Sequence, residues 1–313
     1  MKTTDTGSRI AIKNILFTTD FSPAAATAAP FAVELAKYFG AKIHVLHVRT
    51  PVVNPMTPPE TWASLEDAAV VRAGEQRDAV REQFSGLEPN ILIEDGDLWN
   101  HLAAAIEREH IDLIVCGTRG RSGLQKLVLG STAEKIFREA PCAVFTVGPR
   151  VHARAPGRRE IPEILYATDF SPAAAAAAPY AISLAQEYQA RLTLLHVLPE
   201  FDMKRRFNYE EIESSCKDEL RGIVPPGAEP WCEPSWIVKQ GDPAEKILET
   251  AADRNASLIV LGVRRASGVP GAATHLEIAT AHMIVSRAMC PVLTVPESRM
   301  KTAIRSDPEP SFT

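Results

Sequence analysis

Residues 15–30 read ILFTTDFSPAAATAAP and residues 164–179 read ILYATDFSPAAAAAAP, identical at thirteen of sixteen positions with an offset of 149. The echo continues through IHVLHV at 43–48 and LTLLHV at 192–197, and through the pairs Gly96-Asp97 and Gly241-Asp242. It returns at LIVCG and LIVLG, and again at CAVFTV and CPVLTV. A chain written twice must fold as two copies of one unit, and each copy has about 150 residues, the size of one domain. Residues 1–150 are therefore read as the first domain, 151–160 as a linker rich in proline, glycine and arginine, 161–297 as the second domain and 298–313 as a polar tail.

Each unit alternates short apolar runs with helical patterns. In the first, strands are expected at about 14–19, 42–48, 90–94, 113–117 and 143–147, with a long polar helix over about 61–85. Ser22-Pro23 and Asp97 carry helix-start signatures, and Pro30 predicts a kink in the alanine-rich helix. Short β-branched strands alternating with helices imply a doubly wound α/β fold, a parallel sheet covered on both faces. Ligands in such sheets bind beyond the carboxyl ends of strands, where the winding reverses. Asp20, Val48 and Gly117 all fall at such ends.

The stretch from Ile111 to Glu134 carries the chemistry. A buried-type strand ends at Gly117, glycines recur at 120, 123 and 130, and Ser131-Thr132 open a helix. Glycines let the backbone turn its N–H groups inward, and a helix start adds unpaired donors and partial positive charge, so the pattern suits phosphate. Arg119, Arg121 and Lys126 supply countercharge. The spacing fits neither a dinucleotide fingerprint nor a P-loop, because two residues separate Gly117 from Gly120 and Ser131 directly follows Gly130.

Composition narrows the classes. The 313 residues are 45% hydrophobic and 23% charged, with 34 basic against 39 acidic residues and a net charge of −5. That is a globular balance with no bulk attraction to nucleic acid. No apolar run approaches the roughly 18 residues of a membrane span, and the N-terminus lacks a signal-peptide core, so a cytoplasmic location is expected. Five cysteines without a C-x-x-C argue against disulfides or zinc. His44 and His47, three apart on a strand, face opposite ways and cannot readily share a metal.

Gly117, two residues, Gly120, nine residues, Gly130 and Ser131 resemble the G-x2-G-x9-G-S/T nucleotide signature of the universal stress protein family. The likeness extends over both halves. It implies two tandem five-stranded sheets of order 3-2-1-4-5, and ATP, with Mg2+ admitted beside it, as ligand. It also implies contacts from Thr19 and Asp20 to the nucleoside, from Val48 to adenine, and from Gly117, Thr118, Arg119, Gly120, Gly130, Ser131 and Thr132 to the phosphates. Asp20 has a competing structural reading, since an aspartate after a strand can cap the next turn, and Asp169 repeats it.

The second half departs from the pattern. Gly262 matches Gly117, but Arg265 stands for Gly120, Ile278 for Gly130 and Ala279 for Ser131, so this loop is expected not to hold a triphosphate. Catalysis finds no hydrolase elbow and no base to activate water, which leaves slow ATP hydrolysis as the most an enzyme reading offers. The rival readings are that slow ATPase and an interaction scaffold without nucleotide. The expected role is a nucleotide-responsive stress or survival factor acting through unidentified protein partners. Single-domain members pair strand five between two chains. The duplication therefore implies an internal pseudo-dimer joined after Pro291, with a homodimer of whole chains left open.

Overall fold

A computed structural model describes residues 10–49, 59–118, 130–151, 161–200, 209–226, 232–264 and 272–297. The linker from residue 152, the tail from 298, and Arg119, Gly120, Arg121, Gly123, Lys126 and Arg265 lie outside the described residues. The first unit runs β1 (Asn14–Thr18), α1 (Pro23–Phe39), β2 (Lys42–Arg49), α2 (Pro59–Gln83), β3 (Asn90–Asp95), α3 (Leu98–Arg108), β4 (Leu113–Gly117), α4 (Ser131–Glu139) and β5 (Ala143–Val147). The second repeats it as β6 (Glu163–Ala167), α5 (Pro172–Tyr188), β7 (Arg191–Leu198), α6 (Tyr209–Ile223), β8 (Pro234–Gln240), α7 (Pro243–Asp253), β9 (Leu258–Val263), α8 (Ala272–Arg287) and β10 (Val292–Pro296). The polar helix α2 sits two residues earlier at each end than its pattern suggests, starting on Pro59, a residue preorganised for a first helical turn.

Capping follows the chemistry of the termini. The Ser22 hydroxyl accepts the Ala25 N–H and Ser171 accepts that of Ala174, each with proline next in sequence. Asp97 and Asp242 do the same for Asn100 and Glu245. Pro30 lies inside α1 and Pro179 inside α5, and both helices continue through them for 17 residues.

The strands form one sheet in the order β3-β2-β1-β4-β5-β10-β9-β6-β7-β8. Each half has the order 3-2-1-4-5, and all pairs are parallel except β5 with β10. There Val292 faces Thr146, Leu293 faces Phe145 and Thr294 faces Val144. Every residue of β5 and β10 is buried. Unpaired, two such strands would expose apolar edges, and pairing them removes both at once. Pro291, which has no N–H to donate, stays outside this ladder.

Packing crosses the seam on both faces. Phe145 and Leu293 belong to one cluster with α1 and α5, while Ala133 and Phe137 of α4 join the cluster of α7 and α8. The rings of Tyr38 and Tyr188 stack with centroids 4.6 Å apart, and the Tyr38 hydroxyl donates to the Glu187 carbonyl at 2.9 Å. The two units therefore share a core.

Candidate functional site

The crevice lies where β2, β1 and β4 end side by side. Thr18 stands opposite Leu46 and Cys116, so the chain beyond it leaves between the ends of β2 and β4. The winding reverses here, between β1 and β4. Thr19 and Asp20 follow β1 as a tight turn. The Thr19 hydroxyl accepts the Phe21 N–H at 3.0 Å, and Asp20 Oδ1 accepts the Ser22 N–H at 2.9 Å. Phe21 adopts φ 59°, a conformation that costs a non-glycine residue about 1 kcal/mol or more.

His47 holds the turn from below. Its Nδ1 lies 2.8 Å from the Thr19 carbonyl, which can only accept, so Nδ1 carries the proton. The Phe21 ring meets the imidazole at 4.8 Å, nearly edge-on. Thr168, Asp169, Phe170 and His196 repeat the arrangement in the second unit. Its bonds are 3.0, 2.9 and 2.8 Å, and φ at Phe170 is 62°. Asp20 thus has the turn-forming role that an aspartate after a strand can have, and has it in both copies.

At the end of β4 the backbone of Gly117 nearly touches the start of α1. A Cβ on Gly117 would lie 2.8 Å from the Ala24 carbonyl oxygen and 3.2 Å from the Ala25 nitrogen. Gly262 is closer still, with 2.1 Å to the Ala173 oxygen. Gly117 is therefore a close-approach glycine of the β4–α1 contact, a role sequence spacing did not suggest, and Gly262 is retained for the same reason.

Thr118 and Gly130 pin the ends of the loop together. The Thr118 N–H donates to the Val147 carbonyl at 3.1 Å, and its own carbonyl accepts the Gly130 N–H at 2.8 Å. Thr118 is 2% exposed, and its hydroxyl has no partner among the described residues. Helix α4 begins immediately after Gly130, its N-cap, which has no side chain to offer its first amides. Thr132, in the first turn, is exposed; the side chain of Ser131 lies outside the described residues.

Val48 is half-buried against Leu46, Ile114, Cys116 and Ile136, on the face covered by α3 and α4. Trp99 packs on the same cluster and carries Lys135 Nζ at 5.4 Å from its ring. Neither was singled out by motif, because both belong to helices that only folding brings beside β2. Cys116 is buried, and burial pushes its thiol up to about 12. His44 faces the opposite side of β2 from His47, beside Asn90 at 3.1 Å. No group of three metal-ligating side chains exists among the described residues.

The second crevice is built differently at the helix. Ala279 aligns with Ser131 at the offset of 148 shared by Cys142 and Cys290, yet α8 already starts at Ala272. Ile278 therefore lies inside a helix rather than at the end of a loop. The helix begins seven residues earlier (279 − 272), which at 1.5 Å per residue moves its amide end by about 10 Å.

A family model described as the universal stress protein family matches residues 11–148 and again 161–296. A universal stress protein of Thermus aquaticus is 35% identical over 140 residues, covering 43% of this chain and 98% of that protein. One from Methanocaldococcus jannaschii is 30% identical over 140 residues, covering 43% and 81%. The crystal structure of a universal stress protein from Archaeoglobus fulgidus superimposes with a TM-score of 0.67 at 21% identity, covering 90% of this chain and 96% of that one. With two matched units that account for nearly the whole chain, this protein belongs to the universal stress protein family as a tandem, two-domain member.

Proposed function

We propose that the first unit binds ATP or a related adenine nucleotide and that the second does not. The carrying observation is the contrast at the helix start. In the first unit Thr118 and Gly130 close a loop directly onto the uncapped end of α4; in the second, helix occupies the corresponding segment. An uncapped helix end favours an anion, and the glycine motif from Gly117 to Ser131 supports phosphates there. The orphaned, buried hydroxyl of Thr118 gives the loop one further unpaired polar group. In this reading the base lies toward Val48 and the ribose toward the Thr19-Asp20 turn. Mg2+ accompanies the phosphates, and Arg119, Gly120, Ser131 and Thr132 complete their shell. The protein then works in the cytoplasm as a nucleotide-responsive stress factor, read by protein partners.

Gly130→Val tests the site. A β-branched side chain at the helix N-cap would stand where the phosphate must approach. ATP affinity measured by titration should fall at least tenfold while the circular dichroism spectrum stays native. An unchanged affinity in a folded variant contradicts the assignment. Ile278→Gly alone should create no second site, because α8 still begins ahead of it.

A further inference from the structure

Where β5 leaves the sheet, the chain makes a turn against the second unit. The Val151 N–H donates to the Gly148 carbonyl at 3.2 Å, and Val151 is buried. Gly148 lies so close to the end of α8 that a Cβ there would be 3.2 Å from the Val285 carbonyl oxygen. This turn, the last turns of α7 and α8, and the residues after them line an open surface cleft of about 590 Å3. That volume falls within the range of small-molecule sites. The cleft joins Arg150, just beyond β5, to residues of the second unit, and none of the proposed nucleotide residues lines it.

Its lining has two characters. Leu248, Ala251, Ala252 and Met289 give an apolar surface, and Met289 is 59% exposed, one of the few large apolar side chains so uncovered among the described residues. Arg150 and Arg287, both exposed, also line the cleft. Among the described residues no carboxylate pairs with either. Arg287 Nη1 instead donates to the Met283 thioether at 3.6 Å. Glu249, the one carboxylate of the lining, is neutralised by Lys239 at 3.2 Å and Lys246 at 2.8 Å. The fold does not require a cation here, since the position matching Arg287 in the first unit is Glu139 (287 − 148).

We propose that this seam cleft binds a small amphipathic carboxylate, its apolar body on Leu248, Ala251 and Met289 and its carboxylate held by Arg150 and Arg287. Planar guanidinium forks match a carboxylate in two parallel hydrogen bonds. Apolar burial and the ion pair must act together, because a surface pair alone contributes little.

Decanoate is the probe, with 1-decanol lacking its charge and acetate lacking its apolar body. The full chain is titrated while the methyl NMR signals of Met289 and Leu248 are followed. Decanoate should shift both saturably, and decanol and acetate should bind at least about tenfold more weakly. Arg150→Ala and Arg287→Ala, at exposed positions, should each weaken decanoate by about tenfold, the worth of one charged hydrogen bond. The double variant should bind it no better than decanol. The proposal is overturned if no saturable shift appears, if acetate matches decanoate, or if the double variant binds decanoate as the unaltered chain does.

Discussion

Gly117 illustrates how one residue can answer to two demands. Its place in the glycine motif points to phosphate, but its contact with Ala24 and Ala25 makes it a packing residue as well. Gly117→Ala should lower stability by about 1–3 kcal/mol through overpacking, read as a drop in the urea midpoint. Gly262→Ala should cost more, given the shorter 2.1 Å approach. An unchanged midpoint in both would show that the two helices yield freely. The sequence held a hint of this, since Gly262 survives where its loop has lost the other glycines. The reason was not legible, because the touching residue is 93 positions away (117 − 24). The Thr19-Asp20 turn was more readable: strand end, aspartate and Ser-Pro cap are local signals, and they recur in both units.

At the level of elements, period and repeat were enough to place the strands and the parallel doubly wound class, while their order came from the family resemblance. Helix α8 was not legible in the same way. Aligning the two segments put Ile278 opposite Gly130, at the end of a loop three residues longer than the first and unfit for a triphosphate. The residues AATHLEIA at 272–279 instead continue as helix, as their composition favours once the glycines are gone. The β5–β10 pair was anticipated from the hazard of two apolar edges on one chain. Val144 and Val292 are 2% and 1% exposed beside that pair. Replacing both by lysine buries two unpaired ammonium groups, so the units should part or the protein should precipitate. X-ray scattering would show an enlarged radius of gyration. A compact variant of full stability would mean that the seam does not depend on these strands.

The whole molecule is one ten-stranded sheet with cores that run across the seam, so its stability should respond to pH as a unit. On the alkaline side, burial raises Cys116 from 9.0 and Tyr166 from 10.0, each to about 12. Above pH 9 the unfolded chain ionises these groups first, so their contribution to stability is full below that value and declines as pH rises toward 12. On the acid side, burial lowers His44 below 6.5, with Glu109 opposing. The unfolded chain therefore takes up that proton first, and stability declines as pH falls below 6.5. Urea midpoints at about pH 5, 7.5 and 10.5 should be highest at the middle value. A midpoint that keeps rising to the alkaline end would contradict the burial of both groups.

Two units of one ancestry, one with a loop closed onto an uncapped helix and one with helix in its place, make the number of nucleotides per chain the decisive quantity. Titration calorimetry with ATP on the full chain should give about one site per chain, lost in Gly130→Val. Two equivalent sites, or none in the folded protein, would contradict the account.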